Sequence, residues 1–91
     1  MVVLILERVP SGLRGDLNRW MIEPRAGTFV GTMPALVRDK VWAKACREAR
    51  GGSCVLIHSA QTEQGFAVRV HNQPARDLVD FDGLSLVRIP S

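Results

Sequence analysis

Residues 2–6 read Val2-Val3-Leu4-Ile5-Leu6, and residues 53–60 read Ser53-Cys54-Val55-Leu56-Ile57-His58-Ser59-Ala60. Each stretch carries apolar side chains on both parities. Successive side chains of a strand point to opposite faces, so both faces of these two strands are apolar. That pattern predicts two central strands of a sheet that is covered on both sides.

The rest of the chain arranges itself around them. Val9-Pro10-Ser11-Gly12 breaks the first strand. Leu13, Leu17, Trp20 and Met21 then fall at i, i+4, i+7 and i+8, the apolar stripe of an amphipathic helix that Pro24 would end. Residues 27–31 read as a short Gly-bounded strand. A second helix is predicted with Thr32 as its cap and Pro34 in its first turn. Its stripe runs through Met33, Leu36, Val37, Val41, Ala45 and Ala49, and Gly51-Gly52 stops it. After the 53–60 strand, residues 61–65 turn the chain. Phe66 to His71 alternates as a half-exposed strand does, residues 72–82 read as a polar loop, and residues 84–89 form a last strand.

This order predicts an α+β sandwich, with one antiparallel sheet carrying two helices on a single face. Two helices cover only one side, yet the central strands are apolar on both. A second copy related by a two-fold axis is the simplest cover, so a homodimer with sheets packed face to face is expected.

Ninety-one residues make one domain, 1–91, which buries about 60–65% of its unfolded surface on folding. With 46% apolar and 23% charged residues, the composition excludes a disordered chain. No apolar run approaches the roughly 18 residues of a membrane span, and Val2 to Leu6 is too short for a signal-peptide core. The expectation is a cytoplasmic protein without membrane contact. Of the twelve cations ten are Arg, a residue whose planar fork suits phosphate, although a GC-rich codon bias produces the same excess. Cys46 and Cys54 fit neither a zinc site nor a CxxC motif and read as buried free thiols.

Glu7 ends the first strand. A two-fold axis near it would bring two carboxylates together, a pair able to hold Mg²⁺ or Mn²⁺ for phosphodiester cleavage. The alternative is a carboxylate solvated at a strand end or paired with Arg8. His58 interrupts a buried run and reads as a hydrogen-bonded core or interface histidine, and His71 has no partner at ligand spacing. Trp20 and Trp42 read as packing anchors. Arg14 and Arg19 lie off the stripe of the first helix, and Arg76 lies in the loop before Asp80. Doubled by a two-fold axis, Arg14 and Arg76 would form a row of four guanidiniums able to track a duplex backbone. A solvated helix face accounts for any one of them alone.

Taken in order, several short motifs span nearly the whole chain: Glu7-x-Val9-Pro10, Leu13-Arg14-Gly15-x-Leu17-x-x-Trp20-x-x-Glu23, Gly27-x-x-Val30-Gly31, Trp42, Thr62-Glu63-x-Gly65-Phe66 and Asp80-x-Asp82-Gly83-Leu84. Together they resemble the Cas-two family, the small CRISPR-associated subunit of spacer acquisition, in its subtype I-E branch. The resemblance implies a ferredoxin-like homodimer that bridges dimers of the larger CRISPR integrase subunit and holds prespacer duplex DNA. It places the DNA-backbone arginines at Arg14 and Arg76; Arg19 joins them as a candidate contact only by its place on the exposed side of the first helix. It assigns the C-terminal strand and tail, 84–91, with Leu84, Leu86, Val87 and Ile89, to docking on the integrase subunit. Family members are also described as metal-dependent endonucleases on RNA or DNA, and the residue matching their strand-1 acid is Glu7. The resemblance therefore implies Glu7 as catalytic and metal-binding residue if the chain cleaves, with Mg²⁺ or Mn²⁺ as cofactor, and weighs the scaffold role above the nuclease.

Overall fold

The computed structural model describes residues 1–72 in full and residues 77–81 and 84–88 in backbone and pairing. Its elements run β1 (Val2–Leu6), α1 (Ser11–Leu17), β2 (Met21–Arg25), β3 (Thr28–Gly31), α2 (Ala35–Glu48), β4 (Cys54–Ser59), β5 (Phe66–His71), β6 (Asp77–Phe81) and β7 (Leu84–Arg88). Five strands form one sheet in the order β2-β3-β1-β4-β5, every neighbouring pair antiparallel. This is the ferredoxin-like α+β arrangement with an added edge strand. β6 and β7 pair antiparallel in a separate two-stranded sheet, Leu78 opposite Val87 and Phe81 opposite Leu84.

Register decides which side chains meet. Phe29, Leu4 and Leu56 lie opposite one another on β3, β1 and β4 and all three are fully buried. Val2, Leu6, Cys54 and His58 share that face, and Leu13, Leu17 and Ala45 of the two helices close over it with Ala49, the C-cap of α2. Val9, Met33, Val41 and Trp42 pack against the same cluster.

The two central strands appear where the sequence placed them, and β4 carries its apolar residues as expected. Three features differ. The first helix stops at Leu17, and Trp20 N–H donates to the Leu17 carbonyl at 3.0 Å in the turn that follows. Gly12 and Gly15 leave this seven-residue helix with poor intrinsic propensity. Met21 is buried because it begins β2, not because it continues a helical stripe, while Trp20 is 48% exposed and anchors nothing. Pro24 therefore lies inside an edge strand that the sequence reading missed. An edge strand tolerates a residue without N–H, and the register shifts between Ile22 and Arg25 around it.

The second helix starts at Ala35, with Pro34 as its N-cap and no side-chain cap from Thr32. Its end agrees with the reading: Arg50 and Gly51 turn through positive φ of 53° and 82°, a conformation glycine adopts without steric cost. The segment read as a polar loop, 72–82, contains β6. Asp77 and Asp80 weaken its pattern, and pairing with β7 supplies what local propensity lacks. The last strand ends at Arg88, and Ile89 lies outside the described residues.

Candidate nucleic-acid interface and the strand-1 carboxylate

Glu7 follows β1 directly and is exposed. Its backbone N–H donates to the Ser53 carbonyl at 3.0 Å, and its Oε1 accepts the Ser53 N–H at 2.9 Å. The carboxylate thus clasps the entry to β4 and extends the β1–β4 ladder by one residue. Arg8 turns elsewhere, with its Nη1 donating to the Arg50 carbonyl at 3.2 Å.

Among the described residues, no three His, Cys, Asp or Glu side chains gather where a metal ion would bind. One Glu7 oxygen is already engaged, so the described residues of a single chain do not fit a Mg²⁺ or Mn²⁺ site, which needs several oxygen ligands.

Arg14 is placed by α1 against β2. Its Nε and Nη2 donate to Glu23 Oε1 and Oε2 at 2.9 and 3.2 Å, a two-point fork. Glu23 Oε2 also accepts the Gly27 N–H at 2.9 Å. Gly27 has φ of 82°, and a Cβ there would stand 2.6 Å from the Leu6 carbonyl oxygen, so only glycine fits. The Glu23 carboxyl is held below its ordinary value, first by Arg14 and then by the Gly27 N–H.

A carboxyl with a depressed folded value stabilises the fold above its unfolded value and loses that contribution as pH falls through the folded one. For Glu23 this window opens below its ordinary 4.5. Glu23→Gln is therefore expected to lower the thermal midpoint near neutral pH, with the gap to wild type narrowing as pH is brought down below 4.5. Thermal melts along that titration check it.

Arg19 is exposed in the turn after α1, near Asp16. Arg76 lies outside the described residues. Of the proposed docking residues, Leu84, Leu86 and Val87 lie on β7.

His58 is buried, as expected of a core histidine. Its Nδ1 sits 3.1 Å from Arg38 Nη1 and 2.9 Å from the Ser59 carbonyl oxygen. Arg38 and Arg69 converge on Asp39 Oδ1 at 3.1 and 3.0 Å, and the Asp39 carboxyl is held low chiefly by Arg38. His71 is half-buried on β5, opposite Cys54. Both cysteines are free, but only Cys54 is buried as expected and Cys46 is half-buried; burial pushes the Cys46 thiol up and Cys54 to about 11, which favours the protonated form of each. Sequence reasoning missed Glu23 and Asp39 as partners of arginines. Their signal lay in the pairing of elements, not in local spacing.

The second face of the sheet is apolar. Ile22, Val30, Val3, Ile57 and Val68 stand opposite one another in a continuous row across β2, β3, β1, β4 and β5. Ile5, Val55 and Val70 form a second row beside it. Ile22 is 69% and Ile5 39% exposed, whereas the helix-facing residues beside them are buried. Among the described residues no helix covers this face.

Residues 1–86 match the family described as CRISPR-associated protein (Cas_Cas2CT1978). The chain belongs to this CRISPR-associated family. The match takes in β1 with Glu7, both helices and the whole five-stranded sheet. No helix of this CRISPR-associated protein among the described residues is long and apolar enough to cross a membrane.

Proposed function

We propose that this CRISPR-associated protein is a homodimeric scaffold of spacer acquisition, in the subtype I-E branch of its family. It bridges dimers of the larger CRISPR integrase subunit in the cytoplasm and holds prespacer duplex DNA by its backbone. The observation that carries the reading is the apolar row from Ile22 to Val68 on a sheet face without helices. A second copy packed on that face buries both rows and sets a two-fold axis through the molecule. The axis doubles Arg14, Arg19 and Arg76. Arg14 offers Nη1, which lies outside its fork to Glu23. β7 and the residues after it, with Leu84, Leu86, Val87 and Ile89, dock on the integrase subunit.

The competing reading is a metal-dependent endonuclease with Glu7 paired across the axis. The scaffold is favoured because Glu7 Oε1 already serves the entry to β4, and the described residues of one chain supply no ligand cluster. Mixing the chain with the larger integrase subunit and a duplex, then weighing the product by light scattering, tests the proposal. A single complex containing two copies of this chain and the duplex is expected. With Arg14 and Arg76 of both copies on phosphates, about four arginines, log K for the duplex falls with log salt at a slope of roughly −3 to −4. A flat salt response, or no complex, contradicts it.

A further inference from the structure

A groove of about 360 Å³ runs between the end of α1 and the outer ridge of α2. Its floor is aliphatic, made by Leu17, Val37 and Val41, and the half-exposed Trp20 indole forms one wall. Its rim carries Arg19, Lys40 and Lys44 with the Asp16 carboxylate, and Lys44 is taken up by Asp16 and by Glu48. Arg19 and Lys40 are exposed and pair with no carboxylate among the described residues. Leu36, 67% exposed, lies one turn before Lys40 on α2.

We propose that this groove docks an acidic, apolar peptide segment of a partner protein: a bulky apolar side chain enters beside Trp20, and flanking carboxylates meet Arg19 and Lys40. The charge of the rim selects the partner. An aliphatic floor offers no donor or acceptor to the edge of a base and suits an apolar side chain, so the groove fits a peptide better than base readout. The groove lies on the helix side, away from the face assigned above to the second copy, and the inference does not depend on that assignment. Trp20, 48% exposed, does not belong to the buried core, so the fold alone gives no reason to expose it here.

The test uses the full chain and a blocked peptide of about ten residues in which leucine and phenylalanine are set among glutamates, the helix-in-groove pattern. Amide and indole N–H resonances are followed during titration. The proposal expects saturable shifts at Leu17, Trp20, Val37 and Val41, weakening as salt is added. Arg19→Glu combined with Lys40→Glu is expected to weaken binding at least about tenfold while leaving the thermal midpoint in place, since both side chains are exposed. Four results overturn it: no saturable shift, equal binding of the peptide with lysines in place of glutamates, shifts confined to Val3, Val30 and Ile57, or tighter binding of oligo-dT that the same double variant abolishes.

Discussion

Phe29→Ala is expected to lower the free energy of unfolding by about 3–5 kcal/mol. The ring is fully buried on β3, directly opposite Leu4, which in turn lies opposite Leu56. All three are at 0% exposure, and Leu13 of α1, also at 0%, belongs to the same cluster. Truncation removes the apolar transfer energy of the ring and leaves a void that neighbours on three strands and a helix cannot jointly fill. A chain of 91 residues has of the order of 5–14 kcal/mol to lose, so the variant sits near its stability limit. Its thermal midpoint should fall by roughly 15 °C or more, at about 4–8 °C per kcal/mol for a domain of this size. Phe29→Leu keeps most of the volume and should cost about 1.5 kcal/mol or less. Urea unfolding of both variants, read by circular dichroism at constant m, separates the two values.

Val3→Asp carries the second large effect, on assembly and not on folding. Val3 is half-buried on the helix-free face, at the centre of the row, with Val30 on one side and Ile57 on the other. In a face-to-face dimer the aspartate is placed in an apolar interface without a partner, at a cost of about 3–5 kcal/mol. That weakens self-association by two to three orders of magnitude or more, on the order of tenfold per 1.4 kcal/mol. In the monomer the same side chain reaches water, so the fold persists apart from a β-propensity cost of about 1 kcal/mol or less. Light scattering should report twice the 10.0 kDa chain mass for the native protein and the single chain mass for Val3→Asp. A native protein that runs as a monomer removes the face-to-face dimer.

Much of this architecture was legible in the sequence because burial leaves a periodic trace. β1 and β4 are apolar on both parities, β5 alternates, and Gly51-Gly52 marks the end of α2. β2 was not legible. Met21 falls eight residues after Leu13, a spacing that a helix and a turn followed by a strand satisfy equally well, and Pro24 is tolerated only because β2 is an edge. That misreading also hid the partner of Arg14, since Glu23 faces it only when the chain has turned back along β3. Glu7 was correctly placed at a strand end, yet its hydrogen bond to Ser53 spans 46 positions and no local pattern announces it. Asp39, on α2, gathers Arg69 from β5 for the same reason. Arg76 lies outside the described residues, so of the row of four guanidiniums only the Arg14 half has a described position.

The proposed function divides the labour: this chain holds DNA, and strand transfer belongs to the larger subunit. The most direct test is spacer integration by the complex reconstituted with Glu7→Ala in place of the native chain. Integration at the native level and full retention of the duplex are expected, because the scaffold reading gives Glu7 the clasp on β4 and leaves strand transfer to the larger subunit. Loss of integration with the duplex still bound, by a variant whose fold and dimer mass are unchanged, would contradict that division.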